Sequence, residues 1–281
     1  MPNHVNPVSE LGEAMALPTK PLHDKIALVS GSSSGIGAAI AKELSTRGAT
    51  VVVNYPNASE EASARAVLET LSGNVGDGRA ASIILKADLA TVEGPKQLAA
   101  AVAARYGKLD ILVNNAGRSI LCDLSEGSDS EVERAWDNVI NLNGRGTLLL
   151  TRAVLPLLSP SGSRIVNVGS STSRDPDPHM SIYAGSKGMV ESFTRCWARD
   201  LSRKHGCTVN TVAPGPVATD ALLAAPANFL EHLRTKWDSV PAGARFARPE
   251  EVAWVVAELC DERAAWLNGL YIPVTGGFTL S

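Results

Sequence analysis

From Lys25 onward, short β-branched, apolar runs alternate with longer Ala- and Leu-rich segments of helical spacing, and this alternation constrains the fold more than any other feature. Residues 26–30, 50–55, 81–87, 109–113, 164–168, 208–212 and 270–274 read as strands. Residues 36–47, 59–71, 94–106, 130–155, 181–205 and 249–260 read as helices; the first carries Ile36, Ile40 and Leu44 on one face and stops at Gly48. Repeated strand–helix–strand units build a parallel sheet with right-handed crossovers, so every strand's C-terminal end falls on one edge, and ligands bind there. Residues 73–78 read as a glycine-rich surface loop, and residues 220–248 as an insertion ahead of the last helix.

Between the first strand and the first helix lies Ser30-Gly31-Ser32-Ser33-Ser34-Gly35-Ile36-Gly37. The three glycines let the chain turn off the strand, let backbone approach a ligand, and let the helix pack closely on the sheet. The free N–H groups of the helix's first turn and the helix dipole both favour an anion there, such as a dinucleotide pyrophosphate. A small-residue turn before an Ala-rich helix is also a common structural device. The expected fold is α/β: a single Rossmann-type doubly wound domain, its seven-stranded parallel sheet flanked by helices.

A chain of 281 residues, 44% of them hydrophobic, can bury one sizeable core. No internal repeat or second core is visible, so residues 23–281 read as one domain. Residues 1–22, with four prolines, two acids and no apolar stretch of signal-peptide length, read as a disordered tail. A net charge of −3 and the lack of a Lys/Arg cluster argue against a nucleic-acid surface, and no run is long enough to span a membrane. Cys122, Cys196, Cys207 and Cys260 lie far apart without a CxxC pair, which indicates no disulfide framework and no metal site, and suits a reducing cytoplasm. Cys196 and Cys260 fall in helical patterns and read as small hydrophobes.

Tyr183 and Lys187, four residues apart at the start of a helix, share one face. A phenol with an unperturbed pKa of about 10 is a feeble acid or base at neutral pH, but a neighbouring ammonium favours phenolate and makes proton transfer to a substrate oxygen feasible. A buried Tyr and a surface Lys at helix spacing would leave the same pattern. Ser170, 13 residues before Tyr183 at a strand end, can donate a hydrogen bond to a carbonyl oxygen, although Ser-rich strand ends are also ordinary turns. Asn141 lies within the long helical pattern, where it is either exposed or kinks the helix and holds a water.

Taken in order, Gly31, Gly35 and Gly37, Asp88, Asn114-Asn115-Ala116-Gly117, Asn141, Ser170, Tyr183 with Lys187, and Pro214-Gly215 with Thr219 resemble the motifs of the short-chain dehydrogenases/reductases. The resemblance runs from Lys25 to Gly277. It implies a catalytic tetrad: Tyr183 the general acid/base, Ser170 the orienting hydroxyl, Lys187 the ribose binder that depresses the tyrosine pKa, and Asn141 the anchor of a proton-relay water. It implies that Asp88, with Leu89 beside it, meets an adenine, and that Asn115, Ala116 and Gly117 line the cofactor with the glycine turn and Pro214-Gly215. It also implies that Val217 and Thr219 reach the nicotinamide carboxamide. Residues 51–62 and 183–196 look similar to fungal polyhydroxynaphthalene reductases and their ketoreductase relatives.

Residues 54 and 55, where an acid normally holds an NAD ribose about 20 residues past the glycines, are Asn54 and Tyr55, and the first acid is Glu60. NADP(H) is therefore expected over NAD(H), with Ser33, Ser34, Asn54 and Ser59 able to hydrogen-bond a 2′-phosphate; Ser34 stands where many NADP-using relatives carry Arg. The expected substrate is a small molecule, a ketone on a medium-sized, partly apolar, cyclic or aromatic compound. Leu222, Leu223, Phe229, Leu230 and Trp237 offer enough apolar surface for a lid, or belong to an amphipathic helix packed on the fold's own core, and Arg174, Asp175, Asp177 and His179 either hydrogen-bond substrate hydroxyls or are solvated. A sugar, polyol or acyl-thioester ketone is the competing substrate, and a dinucleotide sensor without turnover the competing function. The resemblance implies a homotetramer or homodimer assembled through the long helices and the last strand.

Overall fold

The computed structural model describes residues 20–71, 80–225 and 227–280. Residues 1–19 of the expected tail and the loop at 73–78 lie outside them. Seven strands form one parallel sheet: β1 (Ile26–Val29), β2 (Thr50–Tyr55), β3 (Ile83–Lys86), β4 (Ile111–Asn114), β5 (Ser163–Val168), β6 (Cys207–Pro214) and β7 (Tyr271–Val274). Their order is β3-β2-β1-β4-β5-β6-β7. The chain reverses its direction of travel between β1 and β4, and that crevice is where a doubly wound sheet binds ligands.

The helices are α1 (Gly35–Thr46), α2 (Glu61–Thr70), α3 (Gly94–Tyr106), α4 (Asp129–Ile140), α5 (Thr147–Val154), α6 (Ser181–Asp200), α7 (Ser202–His205), α8 (Asp220–Leu223), α9 (Ala227–Trp237) and α10 (Pro249–Cys260). Strand side chains alternate between two cores, as the period of a strand requires. Ala27, Val29, Val51, Val53, Ile111 and Val113 face a core shared with Ile40 and Leu44 of α1 and Val252 and Val256 of α10. Leu28, Val52 and Leu112 face the other, with Leu98 and Val102 of α3 and Leu150 and Val154 of α5. At about 1.5–3 kcal/mol for each fully buried aliphatic side chain, these two layers are the main favourable term holding the sheet. Leu22 is 0% exposed and its N–H donates 3.0 Å to the Arg47 carbonyl, so packing begins within the segment expected to be tail.

Three elements differ from the sequence expectation. The single helix expected over 130–155 is α4 and α5 joined by a π-helical turn, Asn141–Gly146. The turn brings backbone close to its neighbours: a Cβ on Gly144 would lie 2.7 Å from Met189 Sδ, and one on Gly146 would lie 2.5 Å from the Leu89 carbonyl. The helix expected to reach residue 205 breaks after Asp200, and Gly206 at φ +60° ends the short α7. The insertion at 220–248 carries α8 and α9, and Trp237 meets Phe246 edge to face, centroids 4.2 Å apart.

Asn54 is a correction. Expected to touch a 2′-phosphate, it is 1% exposed, and its amide ties β2 to its surroundings. Oδ1 accepts from Gly31 N at 3.1 Å, and Nδ2 donates to the Leu85 and Ala87 carbonyls at 3.2 and 3.1 Å. Both ends of the amide are spent inside the fold. Asn54→Ala leaves buried backbone groups unpaired, so urea denaturation should show a loss of about 2–4 kcal/mol. A loss under about 0.5 kcal/mol, the size of an ordinary surface substitution, would contradict this role.

Candidate active site

The crevice between β1 and β4 is stitched by one hydroxyl. Ser30 Oγ accepts from the N–H groups of Asn115 and Ala116, each at 3.0 Å, and donates to the Val113 carbonyl at 3.3 Å. The Asn115 amide donates 2.9 Å to the carbonyls of both Ser30 and Gly31, so this side chain, expected to line a cofactor, locks the two loops together. The glycine turn fits closely against this loop. Gly31 sits at φ +57° with room for no side chain, because a Cβ would lie 2.9 Å from Ala116 Cα. A Cβ on Gly37 would lie 2.3 Å from the Gly31 carbonyl oxygen and 2.5 Å from Asn115 Nδ2. Thr219 approaches from the far side, its methyl 3.3 Å from the corresponding point on Gly35, while its hydroxyl caps α8 by accepting from Leu222 N.

Helix α1 starts in this cradle with no side-chain cap at Ser34 and no acid in its first turn. A dipole end left uncompensated beside three glycines fits a dinucleotide pyrophosphate. Asp88 is exposed at the end of β3, with Leu89 buried beneath it. Pro214 ends β6, Gly215 N donates to the Val274 carbonyl at 3.1 Å, and Val217 is buried against Ala247. Ser59 donates its hydroxyl to Asn57 at 2.6 Å, and Tyr55 is buried. Ser33 donates to Glu60 at 2.6 Å.

At the ends of β4 and β5 the chemically capable side chains converge. Ser170 caps the turn after β5, donating to Thr172 Oγ1 at 2.8 Å, and its hydroxyl lies near enough to the Tyr183 phenol to favour the phenolate. One turn along α6, Lys187 is buried, its Nζ donating 2.8 Å to the Val168 carbonyl. A Cβ on Gly117 would lie 3.2 Å from that Nζ and 3.4 Å from Asn143 Oδ1, so Gly117 lets the loop after β4 pack directly against the ammonium.

The asparagine beside Lys187 is therefore Asn143, not the expected Asn141. Asn143 Oδ1 accepts from Arg118 N at 2.8 Å; its Nδ2 donates to the Arg118 carbonyl and to Ser186 Oγ, both at 2.9 Å. Ser186 in turn donates to the Tyr183 carbonyl at 2.6 Å, which ties the π-helical turn to the start of α6. The missed signal was helical spacing: Val139, Asn143, Thr147 and Thr151 recur every four residues on the buried face, and position 141 lies off that stripe.

Burial holds the Tyr183 phenol above its ordinary range, opposed in part by the nearby Ser170 hydroxyl. Burial also lowers the Lys187 ammonium from 10.5 to about 8. Desolvation, which disfavours the charged form of each group, explains both. Burial, and not the neighbouring ammonium, thus sets the direction for the tyrosine in this state. The ammonium lies 5.8 Å from the tyrosine ring centroid and is bonded to Val168 instead.

The loop after β5 is braced rather than free. Arg174 bonds Glu191 at 2.8 Å and lies 3.7 Å over the Tyr271 ring; Asp175 accepts from Thr279; Asp177 pairs with Lys236; and His179 lies 3.4 Å from Asp123. Of the expected lid residues, Leu223 is exposed, Leu222 and Leu230 are half-buried, and the Phe229 side chain lies outside the described residues. Trp237 lines a cavity of about 170 Å³ with Val240, Phe246 and Phe278, next to Gly215 and Pro216. Among the described residues, no helix is long and apolar enough to cross a membrane.

A family model described as enoyl-(acyl carrier protein) reductase matches residues 31–279. The chain is 37% identical to the short-chain dehydrogenase/reductase FrzI of a Cladobotryum species, over 92% of this chain and 98% of that one. It is 36% identical to hydroxynaphthalene reductase arp2 of Aspergillus fumigatus, covering 92% and 96%. Among solved structures it is similar to a short-chain dehydrogenase of Burkholderia cenocepacia in complex with NADP: TM-score 0.80, 34% identity, 92% and 99% covered.

The Lys187 ammonium loses its proton as pH rises through about 8, well below an exposed lysine at about 10.4. In protein carrying ¹³C-labelled dimethyl-lysines, one resonance should titrate there and be missing in Lys187→Met. A full set of lysines titrating together above pH 10 would contradict the buried ammonium.

Proposed function

Because this chain belongs to the short-chain dehydrogenase/reductase family, we propose that it is an NADPH-dependent ketoreductase acting on a medium-sized, partly apolar, cyclic or aromatic ketone. The observation that carries the reading is the convergence of Ser170, Tyr183, Lys187 and Asn143 beside the glycine cradle at one edge of the sheet. A nicotinamide cofactor, when bound, supplies the hydride.

In this reading the protein's own groups place the substrate and handle its proton. Ser170 Oγ orients the carbonyl oxygen toward the Tyr183 hydroxyl, and the raised phenol pKa keeps that proton in place until the oxygen becomes basic enough to take it. Lys187, held by Val168, presents its ammonium to the cofactor ribose and to the phenolate left after transfer. Asn143 is the positioning residue, bracing Arg118 and, through Ser186, the first turn of α6. Gly31, Ser33 to Gly37 and Gly117 form the cofactor cradle, with Asp88 at the adenine end and Val217 and Thr219 at the other.

The substrate class draws support from two sides. The hydroxynaphthalene reductase named above acts on an aromatic bicycle, as its name states, and covers almost the whole chain. Arg174, Asp175, Asp177 and His179, which a polyol would engage, already have protein partners, while Trp237, Phe246 and Phe278 offer apolar surface. We further read the protein as cytoplasmic, and as a homotetramer or homodimer. Trp254 on α10, Trp266, Leu267 and Leu270 ahead of the edge strand β7, and Trp136 and Leu148 on α4 and α5 are all exposed, and burial between copies would cover them.

NADPH oxidation against hydroxylated bicyclic ketones, 2-keto sugars and acetoacetyl thioesters tests the reading. Turnover is expected with the bicyclic ketones, and Tyr183→Phe should lower it by roughly 10²–10⁴-fold while still binding cofactor. Turnover confined to sugars or thioesters would overturn the substrate class, and unchanged turnover in Tyr183→Phe would remove that residue from the mechanism. Separately, light scattering at micromolar concentration should give two or four times the 29.4 kDa chain mass, and a monomer mass would refute the assembly.

A further inference from the structure

Ser170 and Tyr183 serve one substrate oxygen but come from different elements. Ser170 stands at the head of the single turn Ser171–Ser173 after β5, and Tyr183 in the first turn of α6. Their separation is set by whatever ties that turn to that helix. Glu191 on α6 supplies the tie. Tyr183, Lys187 and Glu191 follow one another at intervals of four residues, and the Glu191 side chain is 12% exposed. Its Oε1 accepts from Arg174 Nη2 at 2.8 Å, and its Oε2 lies 3.3 Å from Ser173 Oγ.

Both contacts lead back to the Ser170 carbonyl. Ser173 donates to it from N at 3.1 Å and from Oγ at 2.9 Å. Arg174 lies 3.7 Å over the Tyr271 ring, and the Tyr271 hydroxyl donates to the same carbonyl at 3.3 Å. Glu191, Arg174, Tyr271, Ser170 and Ser173 therefore close into a ring that joins α6, β7 and the turn carrying the hydroxyl. The other tethers of this loop, Asp175 to Thr279, Asp177 to Lys236 and His179 to Asp123, act further along, past the turn. Burial works against the Glu191 carboxylate, but Arg174 together with Arg195, at 2.6 Å, outweighs it and holds the group below its ordinary range. The Arg174 fork, with Nε at 3.4 Å beside Nη2, suits a carboxylate and not a neutral amide. Both arginines reach solvent, so these pairs add little to overall stability; what they fix is direction.

We infer that Glu191 is a positioning residue for the reduction: through Arg174, Ser173 and Tyr271 its carboxylate holds the Ser170 hydroxyl where the substrate oxygen and the Tyr183 phenol meet. The inference rests on the functional reading above and adds to it a residue that touches neither substrate nor cofactor. At a reacting centre a displacement of about 1 Å costs about 10²-fold in rate, so a tether two helical turns from the phenol is felt in the chemical step.

Single-turnover reduction of a hydroxylated bicyclic ketone by the NADPH-loaded full chain, beside NADPH binding followed by nicotinamide fluorescence, tests this. Glu191→Gln should slow hydride transfer by about 10–100-fold and leave the NADPH dissociation constant within about threefold of the unaltered protein. In a Ser170→Ala background the same substitution should cost less than about threefold, because the hydroxyl it places is gone; groups acting independently would multiply their losses. Arg174→Met, at a half-exposed side chain, breaks the same ring and should reproduce both results, and it decides the matter if Glu191→Gln fails to fold. Three results would each overturn the proposal and leave the ketoreductase reading standing. They are an unchanged rate in Arg174→Met, losses that multiply with Ser170→Ala, and NADPH binding that weakens in step with the rate, which would place the effect on Lys187 one turn earlier. An unaltered protein that binds NADPH but reduces no ketone would overturn that reading, and this inference with it.

Discussion

The hydroxyl of Ser30 holds together the two loops on which every later step depends. It accepts two N–H groups from the loop after β4 and donates to Val113, while Asn115 returns two hydrogen bonds to the glycine turn. Five short-range bonds thus fix the switch point of the sheet, where backbone groups would otherwise be left unpaired by the divergence of two parallel crossovers. The glycines matter because this stitch is tight: at Gly31 and Gly37 a single added carbon would collide with the partner loop. Close approach of the two loops and access to the helix N-terminus are therefore one constraint.

Beneath the reacting groups runs a buried polar ladder. Asn114 Nδ2 donates to Asn167 Oδ1 and Thr151, Asn167 Nδ2 donates to Thr194, and Thr194 pairs with Thr211 at 2.6 Å. These residues link the C-terminal ends of β4 and β5 to β6, α5 and α6 at a depth where an apolar pair would let the elements slide. Lys187 stands at the crevice end of the same α6 face, its ammonium anchored to a β5 carbonyl. Burial moves Lys187 and Tyr183 in opposite directions on the pH scale, yet the physical effect on each is the same: the neutral form gains. At neutral pH the phenol keeps its proton and the ammonium, which titrates at about 8, is still largely charged but close to the point of losing its proton, so a charge brought into the crevice acts strongly on both.

Much of this arrangement was legible in the sequence because it is local. β-branched runs, the glycine spacing and the Tyr183–Lys187 interval each depend on residues within a turn or two of one another, and all seven strands follow from them. The sequence offers Asn141 as readily as Asn143 because a π-helical turn shifts the register of a helix that reads as continuous, and only the buried stripe through Val139 and Thr147 marks the difference. Asn54 reads as a ligand group because a polar residue at a strand end offers the same atoms to a phosphate as to Gly31 N and the carbonyls of Leu85 and Ala87. The choice is made by β3, which arrives 29 residues later.

The mouth of the crevice shows why substrate choice is the least local property of such a chain. The loop after β5 is held at four points: by Glu191 on α6, by Lys236 on α9, by Thr279 near the C-terminus and by Asp123 after β4. Tyr271 on β7 adds a bond from its hydroxyl to the Ser170 carbonyl and carries Arg174 over its ring. Each tether is a polar pair that looks in isolation like a hydroxyl-binding residue, and each partner lies on a different element. Satisfying those charges on one another removes them from the wall facing a ligand and leaves Trp237, Phe246 and Phe278 to shape the adjoining cavity. The apolar character of the mouth thus comes less from an absence of polar residues than from their mutual engagement across the fold.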